Sequence, residues 1–143
     1  MINLKSLLSA VFLMMTFQLL SAQSVIGTWK TIDDEDGKIK SHVEIYETNG
    51  TVYGKVVKQI DTSNTTICTQ CKGDLKDAPI EGLTILYDMK GSGKKSQGGS
   101  ILDPASGSEY NCKIELVSDD KLKVRGYIGM PLLGRTQYWY RVN

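Results

Sequence analysis

The sequence predicts an all-β fold, an eight-stranded antiparallel up-and-down barrel. Three observations carry that expectation. Apolar residues recur at every second position, the period of a half-buried strand, and no stripe of helical period competes with it. Turn chemistry interrupts the alternation at short intervals, as at Asn49-Gly50 and Asp103-Pro104. The segments so delimited number eight. Successive strands joined by tight turns can close into a barrel, which leaves no unpaired edge and can hold one small ligand. A sandwich of two short sheets would use the same elements.

The barrel does not begin at the first residue. Lys5, the uncharged run 7–20 and Leu20-Ser21-Ala22 have the anatomy of a secretory signal peptide. The run contains Ser9, Thr16 and Gln18 and falls short of the roughly 20 apolar residues of a spanning helix. Cleavage is expected between Ala22 and Gln23. A lipoprotein would need Cys after the cut, so no lipid anchor is expected. The expected product is exported, periplasmic or secreted, with 23–143 as one domain and no membrane span.

A first strand lies near 25–32. Val43 and Ile45 mark the second, which runs into the Asn49-Gly50 hairpin turn. Val52, Gly54 and Val56 share a phase on the third. Residues 61–80 follow as a long polar segment holding Cys68 and Cys71; loops of that length are uncommon and often functional. Leu83, Ile85, Tyr87 and Met89 alternate on the fourth strand, before Gly91-Ser92-Gly93. The fifth strand is 98–102. Tyr110, Cys112, Ile114 and Leu116 face one way on the sixth. Ser118-Asp119-Asp120 turns into the seventh, where Leu122, Val124, Gly126 and Ile128 are in phase. Pro131 and Gly134 punctuate the last connection, and 135–142 closes the fold.

Charge and composition narrow the function. The chain has 17 basic and 16 acidic residues. Loss of Lys5 with the signal balances them. That argues against a nucleic-acid binder, whose footprint is a basic surplus. Both Phe (Phe12, Phe17) lie in the signal, so every aromatic of the barrel is a Tyr or Trp with a polar handle.

The three cysteines leave alternatives open. Cys68 and Cys71 could form a local disulfide that clips the long loop. Cys112 could bond to one of them and pin the loop to the barrel. The three thiols, with His42, could hold a soft metal, although a structural zinc site usually has four ligands at paired spacings. The metal reading is set aside, and no cofactor is expected. A redox role fits poorly, because active Cys-x-x-Cys pairs sit at helix N-termini. His42 falls in the polar phase of its strand, so no Ser-His-Asp arrangement can be argued and no enzyme is expected. Residues 33–37 (Asp33-Asp34-Glu35-Asp36-Gly37) lack the ligand spacing of a calcium loop and read as an acidic hairpin turn.

Two sets of residues carry a resemblance. Gly27-Thr28-Trp29 on the first strand and Arg141 on the last resemble the pairing that closes one end of lipocalin and calycin barrels, where a basic side chain lies across the indole. Guanidinium stacking on Trp is favourable by ~0.5–2 kcal/mol. More specifically, Gly99 to Pro104, Tyr110-Asn111-Cys112-Lys113, Leu122 to Gly129, Leu133 to Gln137, Trp139 and Arg141 look like a family of small exported bacterial proteins catalogued as a domain of unknown function. The resemblance implies a lipocalin-like barrel and export, and no reaction.

The first functional expectation is therefore a binding module that holds one small, partly apolar or amphipathic molecule inside the barrel. The polar residues expected to serve it are Tyr110, Arg125, Tyr127 and Arg135. Arg125 and Tyr127 lie in the phase opposite Leu122 and Val124, so a bulge would have to re-aim them inward. The alternative is an envelope protein-interaction factor with a filled barrel that uses the 61–80 loop. The oligomeric state is left open.

Overall fold

The computed structural model describes residues 23–143. The predicted signal peptide lies outside the described residues. Eight strands form, and their residues are β1 (Gly27–Ile32), β2 (Ile39–Thr48), β3 (Thr51–Gln59), β4 (Thr84–Met89), β5 (Lys95–Asp103), β6 (Ser108–Ser118), β7 (Lys121–Tyr127) and β8 (Gly134–Arg141). Each pairs antiparallel with the next, and β8 returns to β1 to close the barrel. The up-and-down order follows from the short connections, which leave consecutive strands no partner nearer than each other.

Alternation puts one row of each strand inside. Trp29 sits opposite Val43 and Arg141, Val43 opposite Val56, Ile114 opposite Val124, and Leu122 opposite Trp139. These side chains fill the interior. Trp29, Val43, Val52, Leu86, Met89, Cys112 and Leu122 have no exposed surface, and Trp139 is 2% exposed. A void wide enough for water would leave some of that surface open, so the barrel is packed through its middle and lower end.

Three details depart from the alternation expected of the sequence. On β4, Leu86 faces Gly54 and Met89 faces Val52, while Tyr87 pairs with Ser100 on the outside. The register slips around Gly54, and Asp88 takes a positive φ of 53°. The cause lies across the ladder. A Cβ on Gly54 would come within 2.8 Å of the Leu86 side chain, so the missing side chain makes the room that Leu86 fills. Second, β5 is longer than 98–102 and absorbs a bulge between Gln97 and Gly99. Third, β7 ends at Tyr127, and Ile128 is 67% exposed rather than in phase with the core.

The two barrel ends differ. The lower end holds the β2–β3, β4–β5 and β6–β7 turns and is plugged by Val25, which is fully buried. Trp29 Nε1 donates to the Val25 carbonyl at 2.9 Å, and Val25 N donates to Gly93 O at 2.9 Å. The Arg141 guanidinium carbon lies 4.2 Å from the Trp29 ring centroid. Its Nη1 and Nη2 donate to the carbonyls of Ile26 and Ser24 at 3.0 and 2.9 Å, and its Nε donates to Asp119 O at 2.6 Å. Gly27 (φ +140°) lies directly beneath, where a Cβ would overlap Nη1. The upper end holds the β1–β2, β5–β6 and β7–β8 connections and the long β3–β4 segment.

That segment is ordered. Cys68 and Cys71 form a disulfide, and both sulfurs are buried. Cys68 N donates to Ala78 O at 2.8 Å and Ile80 N to Thr66 O at 2.9 Å, so the segment doubles back as a small hairpin bridged at Ile67 and Pro79. Leu75, Ala78 and Ile80 then pack on the core cluster. Gly107 lies against the Gln70 carbonyl, tying the loop to the β5–β6 turn.

Candidate functional site

Above the filled section, the inward rows reach the upper mouth and become half-exposed. Ile101 pairs with Tyr110, and Gly126 pairs with Cys112 on one side and Arg135 on the other. Gly126 has no side chain to cover the gap, and a Cβ there would stand 3.4 Å from Ile101 and 3.5 Å from Tyr110. These three residues form the apolar wall of the mouth. The opposite wall is polar. Thr31 and Ser41 face each other, with their hydroxyl oxygens 2.8 Å apart.

A line of hydrogen bonds rises from the core to the rim along β8. Trp139 Nε1 donates to Gln137 Oε1 at 3.4 Å, and Gln137 Nε2 donates to Asp34 Oδ2 at 3.0 Å. Arg135 closes on the same Asp34 oxygen as an ion pair. The strand order explains the arrangement, because alternate residues 135, 137 and 139 point inward at successive heights. The mouth therefore offers a guanidinium, a carboxylate, an amide and a phenol beside its apolar wall.

Of the four residues expected to meet a ligand, the barrel brings Tyr110 and Arg135 to this mouth. Arg125 and Tyr127 sit on the outward row, and no bulge re-aims them. Arg125 instead clamps the β7–β8 connection: Nε and Nη2 donate to Pro131 O at 3.0 and 2.8 Å, and Nη1 to Thr136 Oγ1 at 2.9 Å. Tyr127 packs over Gly134, where a Cβ would stand 2.7 Å from its own. Thr31, Ser41, Asp34, Ile101 and Gln137 of the mouth escaped the sequence reading. Asp34 was hidden in the acidic turn, and Ile101 in a strand read without a phase. The alternation of Gln137 with Trp139 on the last strand was the available signal for Gln137.

The acidic turn is held internally. Asp33 Oδ1 accepts from the backbone N–H of Glu35 at 2.7 Å and of Asp36 at 3.2 Å. Those donors, chiefly Glu35, hold the Asp33 carboxyl below its usual range. Among the described residues, no three His, Cys, Asp or Glu side chains gather where a metal could be held. The disulfide removes two of the three thiols, so the three-thiol metal site and a bond to Cys112 are both overturned. Cys112 is free and buried, and burial pushes its thiol up to about 12. It stays protonated at neutral pH and is a poor nucleophile. His42 stands on the outward row between Lys30 and Lys58.

A second concavity lies outside the barrel. A groove of about 320 Å³ runs between the β3–β4 segment and β4, with Leu75, Ala78, Pro79, Leu83 and Tyr87 among its walls. Burial, and next the Glu109 carboxylate, raise the Tyr87 phenol above its ordinary range.

The family model described as an uncharacterized protein conserved in bacteria (DUF2147) matches residues 27–141, from the glycine under Arg141 to Arg141 itself. The chain belongs to that family. No curated protein matches it. Among solved structures, the DUF2147 chain is similar to protein HP1028 from Helicobacter pylori, described as belonging to the lipocalin family. The two share 22% identity over 82% of each chain, with a TM-score of 0.71. At that identity the likeness carries the fold, and the lipocalin-like barrel is common to both. No helix among the described residues is long and apolar enough to cross a membrane.

Proposed function

We propose that this DUF2147 protein is an exported, non-enzymatic binding protein that takes one small, partly apolar molecule at the upper mouth of its barrel. The observation that carries the reading is the asymmetry of the barrel ends. One end is sealed by Val25, Trp29 and Arg141, and the other presents Ile101, Tyr110 and Gly126 half-exposed beside Arg135, Asp34 and Gln137. An apolar surface with a few placed polar groups suits a small ligand. Because the interior is packed, the ligand would lie near the rim, with its apolar part on Ile101 and Tyr110. Its polar end would compete with Asp34 for Arg135. Export rests on the charged, apolar and small-residue sequence of 1–22, and a buried disulfide in the β3–β4 segment suits an oxidising compartment.

The filled interior also favours a second reading, in which the 61–80 segment contacts another protein through the groove beside Leu75 and Tyr87. Native mass spectrometry of protein purified from the envelope of its own host separates the two. A retained small molecule that is lost in Tyr110→Ala and Arg135→Ala supports the mouth. A clean apo mass, together with no quenching of Trp139 fluorescence by amphipathic probes, refutes it.

A further inference from the structure

The outer surface of β5–β8 carries a feature that the mouth does not use. Pairing sets Gln97, Lys113 and Arg125 side by side, and Lys95, Glu115 and Lys123 one rung away. Lys121 follows on β7, its ammonium 4.5 Å from the centroid of the Tyr138 ring. Lys30 stands opposite Tyr140. Glu115, 3.5 Å from Lys95, sits within this field, and Glu109 lies further along the same row of β6. A depression of about 100 Å³ opens here, with Lys95, Lys113, Glu115, Lys123 and Arg125 among its walls. The chain carries nearly equal numbers of acids and bases, yet here cations gather, while acids such as Asp33, Asp34, Asp36, Asp119 and Asp120 lie in turns.

The same face runs into the β7–β8 connection, residues 128–133. There Ile128, Met130, Leu132 and Leu133 are 67, 56, 83 and 63% exposed. The connection is ordered: Ile128 N donates to Leu133 O at 3.0 Å, and the Arg125 clamp holds its Pro131 carbonyl. The fold thus commits a guanidinium to keep four apolar side chains turned toward solvent. A contiguous exposed apolar patch marks a contact surface.

We infer that this face docks on an anionic phospholipid bilayer, with the 128–133 loop entering the headgroup region and the cations facing lipid phosphates. The two halves of the surface select that partner together. Cations alone would suit a nucleic acid, but the apolar loop would stay exposed. The loop alone would suit another apolar protein surface, but the cations would be desolvated without counter-charge. An anionic bilayer takes both, and exposed tyrosines such as Tyr138 and Tyr140 suit its interface.

The test is co-sedimentation of the exported product, purified from the envelope of its own host, with two vesicle preparations, phosphatidylcholine alone and a phosphatidylglycerol–phosphatidylcholine mixture. The wild type is expected to bind the mixture and not the neutral vesicles. Leu132→Ser with Leu133→Ser, and Lys113→Gln with Lys123→Gln, should each weaken binding by about tenfold. All four side chains lie at the surface, and unchanged circular dichroism verifies the fold. Inorganic phosphate should release the bound protein no more than sodium chloride of the same ionic strength. Equal binding to both vesicles, no binding to the mixture, indifference to either double variant, or release by phosphate beyond that by chloride overturns the inference. So does tight binding to a DNA duplex that the leucine variant leaves intact.

Discussion

Arg141 is the clearest place to test how the barrel is sealed. Arg141→Met keeps the stem that packs on Trp29 but removes the guanidinium. Three donor contacts to carbonyls disappear, those of Ile26 and Ser24 being partly buried. Hydrogen bonds from a charged donor are worth about 1.5–3 kcal/mol when buried, and these keep some access to water, so each counts near or below the low end. The stacking adds ~0.5–2 kcal/mol. The expected loss is about 3 kcal/mol, or roughly 10 °C or more in Tm for a domain of this size. Arg141→Lys keeps the charge but cannot span both N-terminal carbonyls while stacking, so it should recover less than half. Urea unfolding followed by tryptophan fluorescence measures both. A loss below ~1 kcal/mol in the methionine variant, or full recovery with lysine, would refute the claim that the planar fork closes this end.

Gly27→Ala is expected to destabilise by a comparable amount, because its φ of +140° suits glycine and a Cβ would displace the Arg141 guanidinium; a thermal melt reads it directly. Reduction of Cys68–Cys71 should weaken the β3–β4 segment and leave the barrel folded. The closed loop is short, so the entropic contribution is at most about 2 kcal/mol, and limited proteolysis should cut within 61–80 before the strands. Cys112 should resist maleimide at pH 8 until the chain unfolds. The unfolded thiol ionises near 9 while the folded one holds its proton to about 12, so this group lowers stability as pH rises between those values and has no effect below them. Cys112→Val should therefore show less alkaline loss than wild type in denaturant titrations at pH 8 and pH 10.5.

The barrel was legible because strand alternation and turn residues are local signals. The cores of β2, β6 and β7 follow the period of two because Val43 and Ile45 lie in a regular stretch of pairing with β1 and β3, and 112–114 pairs with 124–126 without a shift. At β4, Leu83, Ile85 and Met89 are buried as expected, but Leu86 and Tyr87 were misread because the phase there is set by a residue on another strand: Gly54 admits Leu86, and that pairing shifts the register. No feature of 83–89 alone encodes it. The sealed end was legible from Gly27, Trp29 and Arg141, whose chemistry is distinctive. The mouth was less so. Arg125 and Tyr127 have the residue types of a ligand site, but their row faces outward, where Arg125 finds backbone carbonyls. Asp34 belongs to the mouth through the closing geometry of β1 and β8, which no spacing in the sequence expresses.

The meeting of Trp29 with Arg141 has a consequence in time. The two residues sit on the first and last strands, so the ring cannot shut while the chain is still being synthesised. Seven of the eight ladders join strands that are neighbours in sequence, and only the closing one spans nearly the whole polypeptide, so that contact carries the largest loop-closure cost. Without it, a meander of the same strands would leave its first and last edges unpaired and its tryptophan uncovered. A polypeptide delayed in that state can still be threaded through a narrow channel, and it needs protection from its neighbours while it waits.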